Sequence, residues 1–265
     1  MLKQRLIFTL LYDGGNFMLS RNFRLQNVGN LEWLKENYDF SRISYSIDEL
    51  VVLDVTRQGR NIDTFSLALR SLTEGCFVPI TAGGGISDID SARKLLRSGA
   101  DKLIINSALY DSKTFISELA SEFGQQCTVA SVDIKLSQNG VYEIWSQNGT
   151  QPENVLAREW LAKLESMKVG EIYLNSIDRD GTGQGFDLAL LDLLPKNFKK
   201  PIILAGGAGN AQHLLSGLRD SRVDAVATAN LFNFVGNGLR VARESIVASG
   251  IVLPMWNINL LEQNL

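Results

Sequence analysis

Short aliphatic runs recur along this chain, and each leads into a stretch whose apolar positions return every three or four residues. The runs are Arg5–Leu11, Glu49–Asp54, Val78–Ala82, Lys102–Asn106, Thr128–Asp133, Glu171–Ser176, Ile202–Ala205 and Ala225–Ala229. They are rich in Val, Ile and Leu and lack a clean in–out alternation, which predicts parallel strands buried on both faces. Between them, Ser87–Ser98, Lys113–Phe123, Val155–Met167 and Ala211–Leu218 carry the spacing of amphipathic helices, the first capped by Ser87 or Asp88. Eight strands, each followed by a helix, predict an α/β protein of the (β/α)8 (TIM) barrel type. An open doubly wound sheet is the alternative.

The chain also repeats itself. A step of 122 residues takes Leu53-Asp54 to Asn175-Ser176, and, with a drift of one residue, Gly83-Gly84-Gly85 to Gly206-Gly207-Ala208 and Asn106-Ser107 to the neighbourhood of Ala229-Asn230. The same step takes Leu11 to Asp133. The repetition favours a closed barrel, one domain over 1–265, built from two similar halves at about 1–122 and 123–265. Two Asn-Gly pairs around Val141, Glu143 and Trp145 predict a hairpin inserted at about 135–150. Active sites of such barrels lie at the C-terminal ends of the strands. Leu11, Asp54, both glycine clusters, Asp133 and the segment from Asn175 to Thr182 are therefore expected around one mouth.

Composition narrows the classes without choosing among them. With 45% hydrophobic and 21% charged residues and a net charge of −3, the chain is an ordinary globular protein, and its scattered Lys and Arg do not suggest nucleic acid. Cys76 and Cys127 are expected to be buried free thiols in a reducing compartment. No apolar run approaches the roughly 18 residues of a membrane span. The apolar run Leu6–Tyr12 is broken by Asp13-Gly14-Gly15 and reads as a core strand rather than a signal peptide. A soluble cytoplasmic protein is expected.

The glycine clusters Ala82–Ile86 and Ala205–Gly209 each join a strand to a helix, where bare N–H groups and the helix N-terminus favour an anion. Two such clusters half a barrel apart predict a ligand with a phosphate at each end, held by Gly84, Gly85, Asn106 and Ser107 and by Gly206, Gly207, Ala229 and Asn230. After strand six, Asp180 is placed as an acid/base or hydroxyl ligand, with Gly181 and Thr182 closing on phosphate or sugar. Asp133 ends a hydrophobic strand, where burial would raise its pKa toward proton transfer. Its partner in a two-carboxylate mechanism should be residue 11, which is leucine; Tyr12 and Asp13 do not obviously substitute. His213 is expected to be a surface helix residue. No metal-ligand spacing and no Ser/His/Asp arrangement occurs, so neither metal nor cofactor is expected.

Gly83-Gly84-Gly85-Ile86, Gly170-Glu171-Ile172 with Ser176–Thr182, and Ala205–Gly209 together resemble the cyclase subunit of imidazole glycerol phosphate synthase, the HisF barrel of histidine biosynthesis, over nearly the whole chain. That resemblance implies a two-phosphate substrate, ammonia from a separate glutaminase subunit, and ring closure by two aspartates ending strands one and five. Asp133 matches the second aspartate and Asp180 a further family acid. Leu11 stands at the position of the general acid, and Leu19 aligns with an important lysine. Arg5, Glu49, Lys102 and Glu171 match the charged ring that gates ammonia entry, and each begins a strand. Asp101 matches a residue at the glutaminase interface. The resemblance extends to divergent copies thought to feed ammonia to a third enzyme in surface-sugar synthesis. The expectation is therefore an ammonia-conducting synthase subunit with impaired cyclase chemistry. The rivals are a working cyclase and a phosphosugar-binding barrel or sibling isomerase without ammonia transfer; the isomerase, too, would need an aspartate at position 11.

Overall fold

The computed structural model describes residues 4–111, 113–230 and 233–255. Eight parallel strands form its centre: β1 (Arg5–Asp13), β2 (Glu49–Asp54), β3 (Ile80–Gly83), β4 (Lys102–Ile105), β5 (Thr128–Leu136), β6 (Glu171–Ser176), β7 (Ile202–Ala205) and β8 (Ala225–Thr228). Each pairs with its neighbours in chain order, and the pairing of β8 with β1 closes the sheet into a barrel. β1 and β5 are thus four strands apart in either direction, on opposite walls.

Buried strands expose neither face, so alternate residues divide between two apolar layers. Ile7, Val51, Ile104, Val129, Tyr173, Ile203 and Ala225 fill the barrel interior. Leu6, Phe8, Leu10, Leu50 and Val52 face outward into the larger layer, with Leu69, Leu95, Leu119, Leu161 and Leu214 from the surrounding helices. Burying each such side chain stabilises the fold by about 1.5–3 kcal/mol. Short polar residues start the helices. The side chains of Asn61, Asp88 and Asn210 accept backbone N–H groups at the starts of Ile62–Thr73, Ile89–Arg97 and Ala211–Leu218. Of the two candidate caps, Asp88 rather than Ser87 does this work. No helix among the described residues is long and apolar enough to cross a membrane.

Strand six departs from the expected strand–helix rhythm. After β6 comes a long glycine-bearing loop and then only a 3-10 turn, Leu188–Leu193. Gly181, Gly183 and Gly185 hold positive φ there, a backbone no helix can use. Two strands also run past the barrel. β1 continues through the Gly14-Gly15 turn into an antiparallel ribbon, Asn16–Arg21 with Arg24–Asn30, an addition to the expected eight strands. β5 continues to Leu136 and pairs antiparallel with Tyr142–Ser146, which pairs in turn with Gln151–Leu156. Cys76 and Cys127 are free but half-buried, not fully buried as expected, because both lie in the connections that lead into strands β3 and β5.

The N-terminal rim is tied by aspartates that precede even-numbered strands. Asp48, Asp101 and Asp224 accept the backbone N–H of Leu6, Ile80 and Ile202 at 2.8, 2.8 and 2.9 Å. Asp101 with Ile80 and Asp224 with Ile202 are related by about the repeat step. Asp48 also forms a buried two-point ion pair with Arg243, at 2.9 and 3.0 Å. Removing one partner of a buried pair leaves an uncompensated charge and costs about 3–5 kcal/mol. Asp48→Ala should therefore lower unfolding stability by about that amount in urea titration. A loss below about 1 kcal/mol would mean that the Arg243 charge finds water and that the rim does not depend on the pair.

Candidate functional site at the two ends of the barrel

At the bottom of the barrel, the inward residues that open β1, β2, β4 and β6 are Arg5, Glu49, Lys102 and Glu171. They close a ring of alternating sign: Arg5 to Glu49 at 2.8 Å, Glu49 to Lys102 at 3.0 Å, Lys102 to Glu171 at 2.9 Å and Glu171 back to Arg5 at 2.6 Å. Thr81 on β3 donates a further hydrogen bond to Glu49. Burial alone would raise the pKa of Glu171, but Arg5 and Lys102 overrule it and hold it below the usual carboxylate range. The ring is neutral, and each charge has two opposite neighbours.

Above this ring the barrel is crossed near its middle. The Tyr173 hydroxyl on β6 meets the Thr9 hydroxyl on β1 at 3.1 Å, and both residues are buried. Neither was singled out from sequence, although each lies two residues before a mouth residue and so shares its inward face. Both belong to the floor of a cavity of about 810 Å³ that opens at the C-terminal strand ends.

Leu11, Gly84, Gly85, Asn106, Ser107, Asp133, Asp180, Gly181, Gly206, Gly207, Ala229 and Asn230 all line this cavity. Thr182 does not: its hydroxyl turns back to donate to the Arg179 carbonyl at 2.7 Å. Asn106 lines the wall but aims its amide inward, donating to Asp133 Oδ2 at 3.0 Å, while Asn175 donates to Oδ1 at 3.0 Å. Asp133 is thus an acceptor on both oxygens. Burial pushes its pKa up to about 7, helped by the negative Asp180 and opposed by the two amides. It can take or release a proton near neutral pH. Across the mouth, Leu11 is buried, and with Leu19 and Leu53 it makes an apolar wall where a second acid would be needed. Tyr12 points outward into the helix-side layer.

The two glycine clusters repeat one geometry. Gly84 and Gly206 hold positive φ, and a Cβ on either would collide with the carbonyl that ends the preceding strand, of Asp54 or of Ser176. Their surroundings differ. Arg60 lies against Gly85 and pairs with Asp54 at 3.5 Å. The second cluster is braced instead by His213, whose Nδ1 accepts the Gly209 N–H at 3.3 Å. His213 is therefore half-buried rather than a plain surface residue, because the capped start of its helix turns the ring under the loop. Asp180 is occupied by the first ribbon, accepting from Ser20 and from the Phe23 N–H at 3.0 Å, and burial raises its pKa.

The family described as "Histidine biosynthesis protein" matches residues 38–236. A protein of Parasynechococcus marenigrum (strain WH8102), which carries the provisional name imidazole glycerol phosphate synthase subunit hisF2, is 46% identical over 257 residues, 97% of this chain and 95% of that protein.

The mouth chemistry turns on one group. Asp133 should titrate near pH 7, seen as a carboxyl 13C shift in the labelled protein. Because its folded pKa lies above the unfolded value, its contribution to stability is full below about pH 4 and fades as pH rises through about 7. A midpoint near pH 4 would show a solvated carboxylate with no special readiness to exchange protons.

Proposed function

The chain belongs to the HisF family of histidine biosynthesis barrels, and from that premise we propose that it receives ammonia from a glutaminase subunit and conducts it through the barrel. The acceptor of that ammonia is a surface-sugar precursor amidated with the help of a third enzyme, in the cytoplasm. Cyclase chemistry is impaired by Leu11. The observation that carries this reading is the difference between the two ends. The closed ring of Arg5, Glu49, Lys102 and Glu171 is complete at the entrance, whereas Asp133 faces leucine across the mouth. A neutral ring admits a small uncharged molecule without a net field, and either acid–base pair can part while the other holds.

Asp133, Asp180 and the two glycine clusters keep the binding half of a cyclase site. That supports the second reading, an active imidazole glycerol phosphate synthase subunit, as does the name of the relative. Loss of a general acid commonly costs about 10²–10⁴-fold in rate. Given the ring-opened ribonucleotide and ammonium salt, the purified chain should turn over at a correspondingly small fraction of an authentic cyclase, and Leu11→Asp should recover part of the rate. A rate within about tenfold of an authentic subunit would establish the second reading instead.

The ammonia reading also requires docking at the N-terminal rim. A glutaminase from the same cell should bind in titration calorimetry at micromolar concentration. Asp101→Lys should weaken binding, because a reversed charge across an interface costs several kcal/mol. Asp101 also holds the Ile80 N–H, so the variant's melting temperature must be compared with that of Asp101→Asn. Leu11→Asp, at the other end of the barrel, should leave docking unchanged. No binding by any glutaminase of that cell would end the channel reading in favour of a lone phosphate-binding barrel.

A further inference from the structure

Strand pairing sorts the inner wall of the mouth into two faces. On one side, Leu11, Leu53, Gly83 and Ile104 stand in register across β1, β2, β3 and β4. Leu11, Leu53 and Ile104 line the cavity, and Ile104 reaches over Gly83, where a Cβ would come within 2.7 Å of its Cγ2. The side chains of this row are hydrocarbon alone. On the other side, Ser131 and Asp133 of β5 stand in register with Tyr173 and Asn175 of β6, and all four line the cavity. Each of these carries a polar atom at its end.

The apolar face is also the covered one. The hairpin after β5 turns over the ends of β2 and β4: the Gln147 N–H donates to the Ser107 hydroxyl at 3.2 Å, and the Asn148 amide donates to the Val55 carbonyl at 3.1 Å. Gly149 in the same turn meets Phe23 at the tip of the first ribbon, so closely that a Cβ would lie 2.5 Å from the ring. Phe23, Gln147 and Asn148 all line the cavity. Two ribbons thus meet over the leucine side of the mouth. The first glycine turn follows Gly83 directly, and the Arg60 guanidinium lies against it at Gly85. An anionic group on that turn has the hydrocarbon row for its neighbour.

We propose that the mouth takes a phosphate ester whose organic part carries an apolar substituent, alkyl in place of hydroxyl, seated on Leu11, Leu53 and Ile104 with its polar edge turned to Asp133 and Asn175. The inference rests on the reading of this mouth as the site of the ammonia acceptor and gives that acceptor a chemical class: a deoxygenated or alkylated sugar ester rather than a fully hydroxylated one. A hydroxyl set on the row loses water and finds no partner in the three side chains, whereas a methyl group gains by leaving water. An apolar wall of this kind discriminates between such ligands by about 10–100-fold.

The test compares n-propyl phosphate with glycerol 3-phosphate, esters of one carbon skeleton that differ in their hydroxyls. Affinity and position are read together from methyl NMR shifts of the full chain labelled at leucine and isoleucine, with the signals of Leu11, Leu53 and Ile104 assigned by substitution. Propyl phosphate should bind at least about tenfold more tightly than glycerol 3-phosphate and should move those signals. Leu53→Asn should abolish the preference while keeping affinity for inorganic phosphate within about threefold. Leu11→Asn serves as the second variant, and circular dichroism checks the fold of each. Equal affinity for the two esters, propyl phosphate bound without moving those signals, a preference that survives both variants, or no binding of either ester would overturn the proposal. Neither glutaminase nor ammonia enters the assay, so failed docking and failed ester recognition are read separately.

Discussion

Closing eight strands into a barrel turns alternate residues of every strand onto a common axis, and that constraint distributes the chemistry of this protein. On β6 the inward residues are Glu171, Tyr173 and Asn175; on β1 they are Arg5, Thr9 and Leu11, with Ile7 between. The first of each belongs to the ion-pair ring, the middle pair bridges the interior, and the last reaches the cavity. A register slip of one residue would send all of them into the outer apolar layer. The ring, the bridge and the mouth are therefore fixed together by strand pairing, while each can change its side chain independently.

That independence gives the molecule its two unlike ends. The ring at the N-terminal end is a partly buried network in which losing one member leaves a partner unpaired, so substitution there is costly. At the mouth, buried Leu11 lines the cavity with Leu19 and Leu53. The two glycine clusters show the same separation: their backbones match, whereas their supporting side chains, Arg60 in one and His213 in the other, do not.

Much of this was legible in the sequence because it depends on local pattern. The aliphatic runs marked all eight strands to within a few residues, and the glycine repeats placed both strand-to-helix turns. What escaped depends on contacts between distant segments. The helix expected after strand six was replaced by a glycine-loosened loop and a 3-10 turn. Asn-Gly pairs announced the ribbon after β5, but the Gly14-Gly15 ribbon after β1 lacks alternation and went unseen. Two arginine pairs, Arg21 with Arg24 and Arg57 with Arg60, share one cavity only because the ribbon and the β2 loop meet there. The inward Asn106 amide and the Thr9–Tyr173 bridge likewise follow from packing that no single segment encodes.

The central claim is that the entrance works and the cyclase does not. It is tested most directly by mixing the chain with a glutaminase of the same cell, glutamine and the ring-opened ribonucleotide, and measuring glutamate and imidazole product in the same reaction. The account predicts glutamate released faster than by the glutaminase alone, with little imidazole formed. Equal yields of glutamate and imidazole product, or no acceleration of glutamine hydrolysis, would contradict it.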